Sequence, residues 1–356
     1  MRWKEQKVDE ASDAANPAIP LIPLKGLLRS VRTPEFEGVT FHEIAAKTAL
    51  NRVPAASNMP FTWTVNPTRG CLHSCVYCFA RKTHSYLDMD TGRDFDTQIV
   101  VKTNVDHVLR AELAKPTWGR EHVALGTNTD PYQRVEGRYR LMPGIIQALA
   151  ESGTPFSILT KGPLLKRDLP LLREAAQQVP VSIGVSLAIL DPALQQSVEP
   201  GTPDARARLG LIRAIAEAGL DVNVMAMPIL PWLTDSLDHL DALHARLAEA
   251  GASWVTTGAL HLRPGAREWW MQWLQAEYPQ LVPKYRWLYR GTRGGFTTYA
   301  RQDYRDWLTT QARDARRRHG FEKRTRMPWR ARADPAKGPG ALEETPLAAP
   351  PQPALF

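Results

Sequence analysis

All three cysteines of the chain stand in one stretch, Asn66-Pro67-Thr68-Arg69-Gly70-Cys71-Leu72-His73-Ser74-Cys75-Val76-Tyr77-Cys78-Phe79-Ala80-Arg81. The spacing C-x3-C-x2-C lets their sulfurs converge from a short loop onto one inorganic centre. A disulfide framework would want an even count. Thiolates are soft ligands that select iron–sulfur clusters or zinc over hard-cation sites, and an all-cysteine cluster takes four of them. The sequence holds no fourth cysteine. One metal is therefore left without a protein ligand, and an open coordination position is where a metal does chemistry, as at catalytic zinc. The other reading of these residues is a zinc site of three cysteines completed by His73 or His84, which would make the chain a zinc-stabilised nucleic-acid-binding module without catalysis.

Such a loop needs a scaffold. From Phe61 onward short apolar, β-rich runs alternate with helical patterns, which predicts βα units and a parallel sheet. The expected strands are Phe61–Val65, His122–Gly126, Phe156–Thr160, Val181–Leu187, Val222–Met227 and Trp254–Gly258. Helices are expected around Asp106–Ala114, Gly144–Ser152, Leu164–Gln177, Pro203–Ala218 and Ser236–Ala250. That makes about six repeats, short of the eight of a closed barrel. Residues 1 to about 35 read as a loosely packed arm. Residues 36–60 read as a segment bracing the core, with a short helix from His42 to Leu50 and with His42 and Glu43 on its solvated face.

In a parallel barrel the site lies just beyond the strand ends. There the sequence places Gly126-Thr127-Asn128-Thr129-Asp130-Pro131-Tyr132-Gln133, then Thr160-Lys161-Gly162, then Ser186 and Glu199-Pro200-Gly201. Hydroxyl and amide side chains suit an ammonium or a ribose, and a lysine offers a point charge to a carboxylate. Asp130-Pro131 also reads as a plain turn, and Lys161-Gly162-Pro163 as the break before a helix.

The cysteine spacing with Tyr77 before the last cysteine resembles the signature of the radical S-adenosylmethionine (SAM) superfamily. The resemblance implies a [4Fe–4S] cluster on Cys71, Cys75 and Cys78, whose unique iron binds SAM, and a partial (β/α)6 barrel. Thr129-Asp130-Pro131-Tyr132-Gln133, with Leu159-Thr160-Lys161, Arg167-Asp168, Glu199-Pro200 and Arg208-Leu209, is similar to the spore photoproduct lyase-related, DNA repair photolyase-like branch. Ala46-Lys47 through Pro54, and Phe79-Ala80-Arg81 with His84, resemble an actinobacterial-type subgroup. By that resemblance Tyr77 flanks the cofactor, Thr127, Asn128 and Thr129 lie where SAM's amino group is held, and Lys161 meets its carboxylate. Ser186, Glu199 and Arg208 would then serve the ribose or carboxylate. Spore photoproduct lyase carries a hydrogen-donor cysteine where this chain has Thr127. Tyr132 is the nearest redox-capable side chain.

The fold class expected is therefore α/β, a partial (β/α)6 TIM-like barrel over residues 61–265. An N-terminal arm and brace (1–60) precede it. An aromatic-rich helical extension (266–312) and a basic, then Pro/Ala-rich disordered tail (313–356) follow. Aromatics interleaved with basic residues, as from Trp269 to Trp307, suit stacking on bases and contact with phosphates. Trp270, Trp273 and Leu274 also recur at helical spacing and so fit core packing. Between Arg313 and Lys337 ten cations oppose three acids, which is most of the formal net charge of +8. This segment reads as a phosphate-binding tail for nucleic acid. The chain closes on Gln352-Pro353-Ala354-Leu355-Phe356, similar to the peptide by which bacterial replication and repair proteins dock on the sliding clamp, with Gln352, Leu355 and Phe356 as anchors.

No run is apolar for the eighteen or so residues of a membrane span, and the N-terminal stretch lacks a signal-peptide core. The expectation is a cytoplasmic radical SAM enzyme served by a flavodoxin- or ferredoxin-like electron donor. It would act on an unknown substrate, nucleic acid in the first place and otherwise a protein, peptide or metabolite.

Overall fold

A computed structural model describes residues 24–54, 59–291 and 294–321. Its strands are β1 (Leu27–Val31), β2 (Thr40–Ile44), β3 (Leu50–Arg52), β4 (Trp63–Val65), β5 (Thr68–Arg69), β6 (Gln98–Lys102), β7 (Val123–Leu125), β8 (Phe156–Thr160), β9 (Val181–Ser186), β10 (Val222–Ile229) and β11 (Trp254–Ala259). They form two sheets, one ordered β1-β2-β6-β5 and one ordered β11-β10-β9-β8-β7-β4-β3.

The second sheet is the scaffold. β4, β7, β8, β9, β10 and β11 pair in parallel, each with the next. β3 adds antiparallel to the outer side of β4. Every apolar run expected to be a strand is one, with ends shifted by one or two residues. The outward-facing residues of these strands, such as Phe156, Ile158, Ile183, Val185, Val222 and Val224, are buried under the helices. The intervening helices are Val105–Leu113, Leu141–Glu151, Leu169–Gln178, Ala205–Glu217 and Leu237–Glu249. Side-chain caps start two of them: Asp204 accepts from the Ala207 amide at 2.7 Å, and Ser236 from the His239 amide at 3.1 Å. Because the sheet runs from β11 to β3 with two free edges, the barrel is partial and open on one side.

Nothing in the sequence pointed to the smaller sheet, and here two expectations fail. His42–Leu50 is not a helix: Thr40–Ile44 pairs with β1 on one side and with β6 on the other. The alternation of Thr40, His42 and Ile44 with Phe41 and Glu43 suits a strand, and its partner β6 lies more than fifty residues on. Nor are His42 and Glu43 solvated. The His42 ring bridges Ser30 Oγ (2.8 Å) and Gln98 Oε1 (2.9 Å), while Glu43 accepts from Arg29 and from the Tyr139 hydroxyl at 2.9 Å. Likewise Leu27–Val31 is a strand rather than part of a loose arm; residues 1–23 lie outside the described set.

After β11 come the helices Ala266–Glu277, Val282–Leu288 and Gln302–Arg318. Trp270, Tyr285 and Tyr289 are fully buried. Their anchoring is to the strand-end loops: Tyr285 Oη donates to the Pro231 carbonyl at 3.0 Å and Tyr289 Oη to that of Leu260 at 2.6 Å. Arg313 to Arg318, expected within a disordered tail, continue the last helix instead, because Ala312 and Ala315 are buried against the body and Arg316 covers the Trp254 ring. Residues 322–356, with most of the basic segment and the Gln352, Leu355, Phe356 peptide, lie outside the described residues.

Candidate active site

The cysteine loop is fixed at its root by the smaller sheet. β5 leaves β4 through Asn66-Pro67, pairs antiparallel with β6 through Thr68 and Arg69, and delivers Gly70 to the first cysteine. Gly70 takes φ +84°, and a Cβ there would lie 2.8 Å from Ile99 Cδ1. The Cys71 amide donates to the Phe95 carbonyl, that of Cys78 to the Cys75 carbonyl, and that of Val76 to Val198. Gln133 clamps the loop from the other side. Its Oε1 accepts from the Leu72 amide at 2.8 Å, and its Nε2 donates to Thr68 Oγ1 and the Gly70 carbonyl.

Arg81 holds the far end. Fully buried, it donates to the Cys75 carbonyl at 3.1 Å and forks onto both oxygens of Asp96 at 3.0 Å. Its guanidinium lies over the rings of Phe95 and Trp269.

Three free thiols thus share one loop, two buried and one half-buried. Burial pushes all three up, Cys75 to about 12, so a thiolate here needs a metal beside it. Among the described residues no three His, Cys, Asp or Glu side chains are gathered closely enough to share one ion. Thiolates on one tetrahedral zinc would stand roughly 3.8 Å apart. A cubane gives each thiolate its own iron and leaves one iron open, which three free thiols with no fourth cysteine in the sequence fit. Of the two histidines of the zinc reading, His73 places Nδ1 3.4 Å from Asp130 Oδ2, and His84 bonds the Gln98 carbonyl through Nε2 at 3.0 Å.

Strand-end loops converge on this centre. The turn after Glu199 sits directly on it: the Gly201 amide donates to the His73 carbonyl, and a Cβ on Gly201 would lie 1.9 Å from the Leu72 carbonyl oxygen. Only glycine permits that approach. Glu199, fully buried, accepts from the Tyr77 hydroxyl and from Arg208, with Lys161 Nζ at 3.9 Å and also over the Tyr77 ring. Burial would raise the Glu199 carboxyl, but the Arg208 and Lys161 charges outweigh it and hold it at about 2.

Arg208, expected at SAM's ribose or carboxylate, is fully buried and spent on other partners. These are Glu199, Thr202 Oγ1 at 2.7 Å and the carbonyls of Ser186 and Pro203. Arg208 and Glu199 therefore satisfy each other. Lys161 keeps its side chain 16% exposed.

Asp130 ties the second and third strand ends to the loop. It accepts from the Tyr132 amide, Thr160 Oγ1 (2.5 Å) and the Lys161 amide (2.6 Å), and faces His73. Of the expected trio, Thr127 Oγ1 and the Asn128 amide approach Asn66 Oδ1 at 3.4 and 3.3 Å, and Asn128 is exposed. Thr129 is buried and bonded to Thr68. Tyr132, the redox-capable side chain expected, is buried with its hydroxyl donating to Asp168 at 3.0 Å, within a network of Arg167 and Glu136 that includes no cysteine-loop residue. In the sequence, Asp130, Gln133 and Arg81 stand only within motif runs and take no role of their own, since the partners of Asp130 and Gln133 lie up to some sixty residues away.

The Radical SAM superfamily profile matches residues 65–243, from the end of β4 into the helix after β10. The chain belongs to the radical SAM superfamily. It is a radical SAM enzyme, and the cofactors of that family are a [4Fe–4S] cluster and SAM, which the cysteine loop and the strand ends above it fit. An uncharacterised protein of Mycobacterium tuberculosis is 60% identical over 312 residues, 86% of this chain and 89% of the relative, in keeping with the actinobacterial-type subgroup. An uncharacterised protein of Methanocaldococcus jannaschii is 25% identical over 54% of this chain and 69% of its own. Spore photoproduct lyase, solved with bound AdoMet and dinucleoside spore photoproduct, superposes with a TM-score of 0.59 at 16% identity, covering 78% of this chain and 79% of that one. At that identity the likeness is one of fold. No helix among the described residues is long and apolar enough to cross a membrane.

Proposed function

We propose that this radical SAM enzyme abstracts a hydrogen atom from a nucleic acid, with Cys71, Cys75 and Cys78 holding the cluster and Lys161 and Ser186 receiving SAM. When bound, the cofactors supply one chemistry: an electron from a flavodoxin- or ferredoxin-like donor cleaves SAM to methionine and a 5′-deoxyadenosyl radical, which takes hydrogen from the substrate. The observation that carries the reading is the convergence of Tyr77, Lys161, Glu199 and Arg208, from four separate segments, beside Cys75. Two cations there face one carboxylate. Arg208 is fully engaged by Glu199, so Lys161 retains charge for an incoming carboxylate. Glu199 and Tyr77 hold the lysine in place rather than touching SAM.

Thr127 occupies the place of spore photoproduct lyase's hydrogen-donor cysteine, and the sequence has no cysteine outside the loop. A threonine hydroxyl is a poor hydrogen-atom donor. The reaction is therefore a different one from thiol-dependent spore photoproduct reversal. Nucleic acid is favoured as substrate by the basic residues from Arg313 to Lys337, with a clamp-docking peptide at Gln352, Leu355 and Phe356 as a further proposal.

The test is anaerobic reconstitution, reduction in the presence of SAM, and assay of 5′-deoxyadenosine, with Cys75→Ala as control. Product in the wild type alone supports the cofactor assignment. Fully deuterated DNA or RNA should then yield singly deuterated 5′-deoxyadenosine; label from neither rejects nucleic acid as the class.

A further inference from the structure

Phe79 follows the third cysteine directly and stands 36% exposed. The ring of His261, just beyond β11, lies 5.8 Å from it, and the ring of Tyr299, 54% exposed, lies 6.2 Å from His261. The planes are tilted by 36° and 35°, so the three rings form a row rather than a closed stack. His261 and Tyr299 are also joined by an antiparallel backbone bridge, which fixes the outer half of the row. Cations line it. The exposed Arg263 guanidinium lies 5.5 Å from the Phe79 ring centre, and that of Arg305 lies 5.6 Å from Tyr299. The Arg305 Nε is buried and finds no acceptor, although its Nη2 reaches Gln302.

This row comes from three parts of the sequence and has a definite place. β4, which leads into the cysteine loop, and β11 belong to opposite ends of the parallel run, and the barrel is open between them. Phe79 and His261 therefore meet at the mouth of that opening, beginning one residue from a cluster ligand. Core packing does not account for the row: Trp270 and Tyr285 are fully covered, whereas Phe79 and Tyr299 stay partly exposed, each with a guanidinium over one face of its ring.

We infer that Phe79, His261 and Tyr299, with Arg263 and Arg305, are a stacking track that seats unpaired bases of a single-stranded or locally opened nucleic acid against the open side of the barrel. The inference rests on the nucleic-acid reading above and names the residues that would carry it. Rings give base-stacking surfaces that tolerate any sequence, and guanidiniums beside them meet the phosphates. A double helix keeps its base faces inside and would leave the track unused.

The test uses the full-length reconstituted holoprotein and a fluorescein-labelled, mixed-sequence DNA 20-mer, single- or double-stranded, followed by anisotropy. The single strand should bind more tightly. Tyr299→Ala should weaken it roughly tenfold, within the range for removal of one base stack, and Tyr299→Phe should restore it. Arg263→Ala and Arg305→Ala should each weaken binding and flatten its dependence on log salt by about 0.7. Arg246→Ala, which removes an exposed cation from the helix after β10, should stay within about twofold. Iron content and melting temperature report whether each variant is folded. Because the basic segment also attracts phosphate, an oligomer carrying 5-iododeoxyuridine is photocrosslinked in parallel, and the adduct is expected on Tyr299, His261 or Phe79. Wild type that binds while Tyr299→Ala binds equally well, or adducts confined to residues outside the row, overturn the track and leave the substrate class standing. A wild type that binds only the double strand overturns the track alone, and one that binds neither form overturns both.

Discussion

Glu199 keeps a negative charge where burial opposes it, and only Arg208 and Lys161 make that tenable. Removing one partner of a buried pair leaves an uncompensated charge, so Glu199→Gln should lower unfolding free energy by about 3 kcal/mol at neutral pH, at the lower end of such losses because the amide still accepts from Arg208. Lys161 would lose its tether and SAM should bind more weakly. The pH dependence follows in sign. The folded carboxyl sits at about 2, below its ordinary 4.5, so its stabilisation is fully present above the ordinary value and is lost as pH falls towards 2. The gap between wild type and variant in denaturant unfolding should therefore be constant from pH 7 to 5 and shrink below that. A gap that widens in acid would show that Glu199 is buried protonated. Cys75→Ala acts differently: it should abolish the visible absorbance of the reconstituted cluster while the melting temperature of the metal-free chain moves little.

Among the elements, the loops decide the site and the strands only present it. A Cβ at Gly201 would strike the Leu72 carbonyl, so Gly201→Ala must push the Glu199 turn off the cysteine loop. Iron retained per chain and SAM affinity should both fall. Gly219, past the helix Ala205–Glu217, has φ +75° and open space around its missing Cβ. Gly219→Ala should cost about 1 kcal/mol of stability through its left-handed backbone and leave iron content unchanged. Equal iron loss in both would mean that stability alone governs cluster retention. The same division explains what the sequence disclosed. Runs such as Phe156–Thr160 and Val181–Ser186 carry their own apolar signature, and Lys161, Ser186 and Glu199 could be picked out because they follow strand ends. β2 could not: His42 and Glu43 read as polar helix positions until Ser30, Gln98, Arg29 and Tyr139 supply their partners. Asp130 likewise passes for a turn residue, since Thr160 and the Lys161 amide, which it binds, lie thirty residues on.

For the whole molecule, the question is whether substrate recognition and radical chemistry can be separated. The cluster loop, the strand ends and the aromatic row all lie within residues 63–305. The helix Gln302–Arg318 closes against the body through Leu308, Ala312 and Ala315, and Phe321 packs near His244. A chain ending after Phe321 should therefore fold, hold its cluster and cleave SAM to 5′-deoxyadenosine at the full-length rate when no substrate is added. It loses Lys323, Arg324, Arg326, Arg330, Arg332 and Lys337. If those residues bind phosphates, single-strand affinity should fall, and the slope of log affinity against log salt should flatten by about 0.7 for each phosphate no longer neutralised. The preference for single over double strands should survive, because it comes from rings that remain. A truncated chain that keeps its affinity and salt slope would assign all the binding to the rim of the barrel; one that loses the single-strand preference would assign discrimination to the tail and remove the main reason for a stacking track beside the cluster.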